Sequence, residues 1–321
     1  MEPATVAILA FEGMQALDLV GPHEVFTGAD EALGRPVYDV RVVSRAGGPV
    51  DTSSGLTIAT SPWASLPAAV HTLLVPGGPA TRRLDAESPE VRWLADAGRR
   101  AERFATVCTG AFLGAGAGLL DEARVTTHWR YTGALQRRYP SLRVETDPIF
   151  IRDGRIWTSA GVTAGIDLAL AMVEDDHGSD VAQLVARDLV MFLRRPGGQS
   201  QFATPVWTEP ASDAPLLAVQ RHIDTHPGDD LSLVRLAERA GMSERHFARL
   251  FTRQVGVSPA KYVERVRIEA ARRRLEREHA TTTAAVAREC GFGSAETLRR
   301  AFHRSLGVGP DDYRRRFATH P

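Results

Sequence analysis

The tightest constraint on this 321-residue chain is a pattern written twice in its C-terminal third. The first copy runs Leu236-Ala237-Glu238-Arg239-Ala240-Gly241, then Met242-Ser243, then a helical stretch through Phe247, Leu250 and Phe251 to Gly256-Val257-Ser258-Pro259. The second runs Val286-Ala287-Arg288-Glu289-Cys290-Gly291, then Phe292-Gly293-Ser294, then Leu298, Ala301 and Phe302 to Gly307-Val308-Gly309-Pro310. Gly241 and Gly291 stand 50 positions apart, whereas Phe251/Phe302, Gly256/Gly307, Pro259/Pro310 and Tyr262/Tyr313 stand 51 apart, so the second turn holds one extra residue. Landmarks held at a fixed offset mark an internal repeat.

Each copy predicts a short helix, a glycine-containing turn and a second helix, the outline of a helix-turn-helix. Ser243 and Ser294 occupy the N-cap positions of the second helices. In copy one, Phe247, Leu250 and Phe251 follow i, i+3, i+4 spacing and face a core. That leaves Arg245, Arg249 and Arg253 on another face, with His246 beside them. In copy two the outward set is Glu296, Thr297, Arg299, Arg300 and Arg304. Shared apolar faces with different polar faces suit two readers of different base pairs. The alternative is a pair of helical hairpins with solvated charged faces, and the duplication favours the first. Ser258-Pro259 opens a joining helix, uninterrupted by Gly or Pro to about Glu278 and about 30 Å long. Its arginines, such as Arg272 and Arg277, are expected on phosphate. Residues 216–317 resemble the AraC-type DNA-binding domain, which implies two helix-turn-helix units on a long helix and double-stranded promoter DNA as the partner.

The formal net charge of zero conceals a division. Residues 216–321 carry 20 Lys/Arg against 13 Asp/Glu, a net of +7, and the remainder nets −7. A basic module on an acidic body fits a polyphosphate ligand. Lys261 is the sole lysine among 39 cationic residues, so arginine here also serves ordinary surface roles. Two cysteines 182 residues apart do not suggest a disulfide framework. Met1-Glu2-Pro3 opens no basic-then-apolar leader, and no charge-free run reaches the roughly 20 apolar residues of a membrane span. A cytoplasmic protein is expected, with no membrane contact, no cofactor and no metal.

In the N-terminal body, Thr5–Phe11, Tyr38–Ser44, His71–Val75 and Phe104–Val107 read as buried strands, with helical patterns between them, notably Pro89–Glu102. Alternating strands and helices predict an α/β domain with a flavodoxin-like parallel sheet covered on both faces. Ligand sites in such sheets lie at the carboxyl ends of the strands. Three features fall there. Cys108 precedes Thr109, Gly110 and the helix-like Ala111–Gly118, so a helix N-terminus is expected to favour its thiolate and make it the more reactive of the two thiols. Pro76-Gly77-Gly78 offers backbone N–H groups that, with that of Thr109, suit an oxyanion. Thr126-Thr127-His128-Trp129 offers an imidazole, and Asp18 in Asp18-Leu19-Val20-Gly21-Pro22 a carboxylate.

Taken together these residues resemble the PfpI-like branch of the class I glutamine amidotransferase-like superfamily, over about residues 4–195. Cys108 matches its elbow cysteine, His128 the following histidine and Asp18 the acid position. The Asp-Leu-x-Gly-Pro form is closer to the isonitrile hydratase branch, and Ile156–Gly165 matches the branch fused to AraC-type domains. The whole chain thus resembles a GlxA-family transcriptional regulator. That resemblance implies a sensor or dimerisation domain in which Asp18, Gly78, Cys108, Thr109 and His128 line a vestigial or effector pocket. Small nitrogenous effectors and a homodimer go with it. The rival is a cysteine-dependent hydro-lyase or amidase with an attached DNA-binding tail. Asp167–Glu174 and Val181–Leu193 read as helices closing the domain. The expected organisation is 1–195 PfpI-like domain, 196–215 Pro/Gly/Ser-rich linker, and 216–321 an all-α domain with two helix-turn-helix units. The resemblance implies that the first half of the linker packs back on the PfpI-like domain, and Cys290 reads as core packing.

Overall fold

The computed structural model describes residues 2–193, 198–199, 211, 213–277 and 281–317. The chain divides into two compact units, Met1–Ser200 and Gln201–Pro321. Most of the expected linker, 196–197, 200–210 and 212, lies outside the described residues.

In the first unit the apolar run at the start becomes β1 (Ala4–Leu9), whose Val6, Ala7, Ile8 and Leu9 are fully buried. It is followed by α1 (Ala16–Leu33), β2 (Tyr38–Ser44), β3 (Gly48–Asp51), β4 (Thr57–Pro62) and β5 (Thr72–Val75). Then come α2 (Pro89–Arg100), β6 (Arg103–Val107), α3 (Gly110–Gly116), β7 (Arg124–Val125), α4 (Thr132–Arg138) and β8 (Arg143–Val144). β9 (Phe150–Asp153), β10 (Ile156–Ser159), α5 (Ala164–His177) and α6 (Ser179–Asp188) complete the unit. Eight strands form one sheet in the order β3-β4-β2-β1-β5-β6-β10-β9. The inner strands β2-β1-β5-β6-β10 are parallel and give the expected flavodoxin-like order. β3 and β9 add antiparallel edges that no strand pattern in the sequence announces. Pro49 and Pro62 sit on that outer hairpin, where a missing N–H is tolerated. α1, α5 and α6 pack on one another, while α2 packs on α3 and α3 on β5 and β6, so both faces are covered.

One expectation shifts. The helix expected over Val181–Leu193 ends at Asp188, because Val190 turns into the left-handed region (φ 54°). Its N–H and that of Met191 close the helix end on Arg187 and Ala186 carbonyls, a Schellman closure with valine where glycine is usual. From the start of the expected linker, Gln199 is buried against the first unit, its side-chain amide donating to Thr126 Oγ1 at 2.9 Å and to the Pro148 carbonyl at 2.9 Å.

The second unit holds α7 (Ala214–Thr225), α8 (Leu233–Arg239), α9 (Glu244–Val255), α10 (Pro259–Arg277), α11 (Thr283–Glu289), α12 (Ala295–Leu306) and α13 (Pro310–Phe317). Its apolar residues form two separate clusters. One joins α7–α9 to the start of α10 around Phe247, Phe251 and Tyr262; the other joins the rest of α10 to α11–α13 around Leu298, Phe302 and Tyr313. Phe251 and Phe302 meet Tyr262 and Tyr313 edge-on, with centroids 5.5 and 5.8 Å apart. Each tyrosine donates to a carboxylate on the helix that opens its half, Asp224 of α7 and Glu276 of α10. The repeat is therefore a four-helix unit, with α10 closing the first copy and opening the second.

The cysteine corner and the candidate nucleic-acid interface

The parallel register sets the carboxyl ends of β1, β5, β6 and β10 along one edge, Val107 opposite Ser159. The chain reverses its direction of winding between β1 and β5, the switch point at which such sheets bind ligands. The segments after β1, β5 and β6 bring Asp18, Gly77-Gly78 and Cys108-Thr109 together there. Cys108 itself takes the left-handed conformation (φ 57°), a strained state for a non-glycine residue. Gly110 does not supply that turn; it is needed because a Cβ there would lie 2.3 Å from the Val75 carbonyl.

Asp18 is fully buried in the first turn of α1. Its carboxylate accepts the Gly77 N–H at 2.9 Å and the Val162 N–H at 2.7 Å. Burial still pushes it up to about 6, against those two donors and the Cys108 thiol. Burial, and then the Asp18 charge, push the Cys108 thiol well above the ordinary thiol range. The Thr109 N–H favours the thiolate, but a helix of seven residues in a buried corner does not outweigh that penalty. The expected low-pKa nucleophile is thus a neutral buried thiol.

Nor are the glycine donors free. The Gly77 N–H is spent on Asp18, and the Gly78 N–H donates to Thr109 Oγ1 at 2.9 Å. His128, half-buried and pushed down by burial and then by Arg130, accepts the Arg130 N–H on Nδ1. Its neighbour Thr127 touches the corner instead, donating to the Cys108 carbonyl at 2.6 Å. Asp18, Gly78, Cys108 and Thr109 are therefore brought together, and no hydrogen bond joins His128 to them among the described residues.

In the second unit Ser243 and Ser294 cap α9 and α12, accepting the His246 and Thr297 N–H groups at 3.4 and 3.1 Å. Arg245, His246, Arg249 and Arg253 are all exposed on α9. In this half Arg235 of α8 pairs with Asp230 and Glu238. On α12, Glu296, Thr297, Arg299, Arg300 and Arg304 are exposed as well. Two of the arginines are engaged, Arg299 with Glu296 of its own helix and Arg304 with Glu264 of α10. Arg272 departs from its expected phosphate role. It is buried, donating from Nε to the Tyr313 hydroxyl at 3.0 Å and pairing with Glu269 at 3.1 Å. The side chain of Arg277 lies outside what is described.

Family models decide the class. One described as the DJ-1/PfpI family matches residues 4–175, and one described as a helix-turn-helix domain matches residues 236–316. The chain belongs to the DJ-1/PfpI family. It is similar to HTH-type transcriptional regulator Rv1931c of Mycobacterium tuberculosis (strain ATCC 25618 / H37Rv), 34% identical over 267 residues that cover 78% of this chain and 96% of that one. Isonitrile hydratase of Pseudomonas putida is 33% identical over 186 residues, covering 57% of this chain and 77% of the hydratase. Of solved structures, a THiJ/PfpI family protein from Pseudomonas syringae matches with a TM-score of 0.54 and 30% identity, covering 61% of this chain and 78% of that one. This DJ-1/PfpI member is accordingly a transcriptional regulator of the helix-turn-helix type.

Two functional positions of the DJ-1/PfpI unit escaped the residue-by-residue reading. Gly161 (φ 107°) lies so close to the elbow that a Cβ there would sit 2.2 Å from that of Cys108. Gly21 admits Ile166 of α5, which draws α1 in and seats Asp18 at the corner. Both stand inside the quoted motifs, and the signal was glycine beside otherwise bulky helix and strand patterns.

Proposed function

We propose that this regulator, acting in the cytoplasm, reads two successive major-groove segments of promoter DNA with α9 and α12. The carrying observation is the repeat itself, two helices with different exposed polar sets on matched cores, joined by a 19-residue helix of about 28 Å. That span approaches the ~34 Å of one DNA turn. Arg249 and Arg300 occupy matched positions, and each suits a bidentate contact to guanine worth about 1–3 kcal/mol of discrimination. Selection of sites from random DNA tests the reading. Arg249→Ala should relax sequence preference in one part of the site and Arg300→Ala in the other. A uniform loss of affinity with unchanged preference would overturn the two-reader assignment.

The DJ-1/PfpI unit, on this reading, senses and dimerises rather than catalyses. Its neutral thiol, its engaged glycine donors and a histidine turned to Arg130 support that. The effector is a small nitrogenous molecule placed at the cysteine corner, where the Asp18 carboxyl, titrating near 6, is the partner for a cationic nitrogen. Dimerisation is supported by large apolar side chains left in water from α6 onward, Leu184, Val190 and Phe192, at 45, 90 and 75% exposure.

A further inference from the structure

The two halves of the DNA-binding unit share no buried apolar cluster among the described residues. A cleft of about 1140 Å³ opens between them, lined by Leu233 and Ala248 from the first half and by Phe292, Thr297 and Ala301 from the second. Besides α10 itself, a small polar joint on the same helix ties the two halves together. Arg267, midway along α10, is half-buried. Its guanidinium donates from Nε to the Pro227 carbonyl at 3.0 Å and from Nη2 to the Asp229 carbonyl at 2.9 Å. Both acceptors lie in the loop between α7 and α8, at the entrance of the first helix-turn-helix.

The same guanidinium packs on the turn of the second. A Cβ on Gly291, between α11 and α12, would fall 2.7 Å from Arg267 Nε and 2.7 Å from the Pro227 carbonyl. A Cβ on Gly228 would fall 2.6 Å from the Glu289 carbonyl. The loop 227–229 and the turn 289–291 thus meet backbone to backbone, with Arg267 wedged between them. One exposed ion pair, Arg304 of α12 with Glu264 near the start of α10, also spans the halves, but it lies in water and is worth little.

We propose that Arg267, with the Gly228–Glu289 contact, is a positioning device that fixes the spacing and rotational phase between the two DNA segments read by α9 and α12. The inference rests on the two-reader reading and adds which residue sets the geometry of that reading. Arg267 faces the turns and not the polar faces of the reading helices, so it specifies distance and not sequence. An inserted base pair moves one segment by about 3.4 Å and about 35° relative to the other. A rigid joint converts that displacement into lost contacts, whereas a loosened joint absorbs it.

The test uses the full chain and the site it selects from random DNA, together with versions of that site lengthened or shortened by one base pair between the two segments. Wild type should bind the altered spacings at least about tenfold more weakly, the scale of one lost specific contact. Arg267→Ala should reduce that penalty to about threefold or less while preferring the same bases in each segment. Gly228→Ala, which wedges the same joint from the other side, should flatten the spacing profile in the same way, and Arg267→Lys should fall between. Variants that keep the wild-type spacing penalty, with affinity unchanged or uniformly lowered, overturn the inference and leave the two-reader reading standing. A wild-type chain that selects a single segment, or no sequence at all, overturns both.

Discussion

Asp18 carries the sharpest electrostatic consequence at the scale of single residues. Its ordinary value of 3.8 rises to about 6 in the folded chain because burial outweighs the two backbone donors. Between those values the native state holds a proton that the unfolded state has released, so stability falls as pH rises through the window. The contribution is fully present below about pH 4 and lost above about pH 6, and the shift corresponds to about 3 kcal/mol. Asp18→Asn removes the titration but gives up one acceptor, leaving the Gly77 or Val162 N–H facing an amide at a cost of about 1–3 kcal/mol. The variant should therefore be the less stable chain near pH 4 and should close or reverse the gap by pH 7. Denaturant melts of both chains at several pH values check this, and a gap that stays constant removes Asp18 as the titrating group. The corner itself was only partly legible. The sequence supplies Asp18 and Cys108, but a chain of letters does not report burial, and burial is what turns a helix-terminal cysteine from nucleophile into packed thiol.

At the scale of elements, the paired tyrosines show how the repeat is built and how it has diverged. The Tyr262 hydroxyl donates to Asp224 at 2.7 Å, whereas the Tyr313 hydroxyl donates to Glu276 at 2.5 Å and also accepts from buried Arg272. Tyr313→Phe and Tyr262→Phe each remove a hydroxyl bonded to a charged group, and each should cost about 1.5–3 kcal/mol. Because the two apolar clusters are separate, amide exchange should quicken in α11–α13 for the first variant and in α8–α9 for the second. Exchange that rises across all of these helices in either variant would show one cooperative unit instead of two. These helices were the most legible part of the chain, since apolar period, serine caps and glycine stops agree in both copies. The strands β1, β2, β5 and β6 were legible for a similar reason, being short runs rich in β-branched and apolar residues. β3 and β4 were not, because this hairpin at the margin of the sheet is exposed, short and tolerant of proline. The early end of α6 was hidden as well, since no Gly or Pro marks Val190. Arg272 misled for a third reason: an arginine on a charged helix reads as solvated until its tyrosine partner, 41 residues away, is in place.

The whole molecule divides its charge, with +7 on residues 216–321 and −7 on the rest. Basic units repel one another and so do acidic bodies, so on the proposed reading the contact that pairs two copies has to be apolar, as the exposed Leu184, Val190 and Phe192 are. A dimer formed through the first unit doubles the number of recognition helices per particle and makes the second pair of contacts intramolecular. Val190 and Phe192 are the side chains whose exposure most favours such a contact, and burying each is worth about 1.5–3 kcal/mol. In a two-fold interface every such residue acts twice, so Phe192→Glu should weaken dimerisation by at least about a hundredfold. Light scattering of the full chain at micromolar concentration should give twice the 34.9 kDa of one copy, and the variant should return to 34.9 kDa. The fold of each unit is untouched by this change, since Phe192 lies in water beyond the end of α6. A variant that stays dimeric moves the interface elsewhere on the body, and a wild type that scatters as one copy removes dimerisation from the reading and leaves the repeat within a single chain as the whole of its reach.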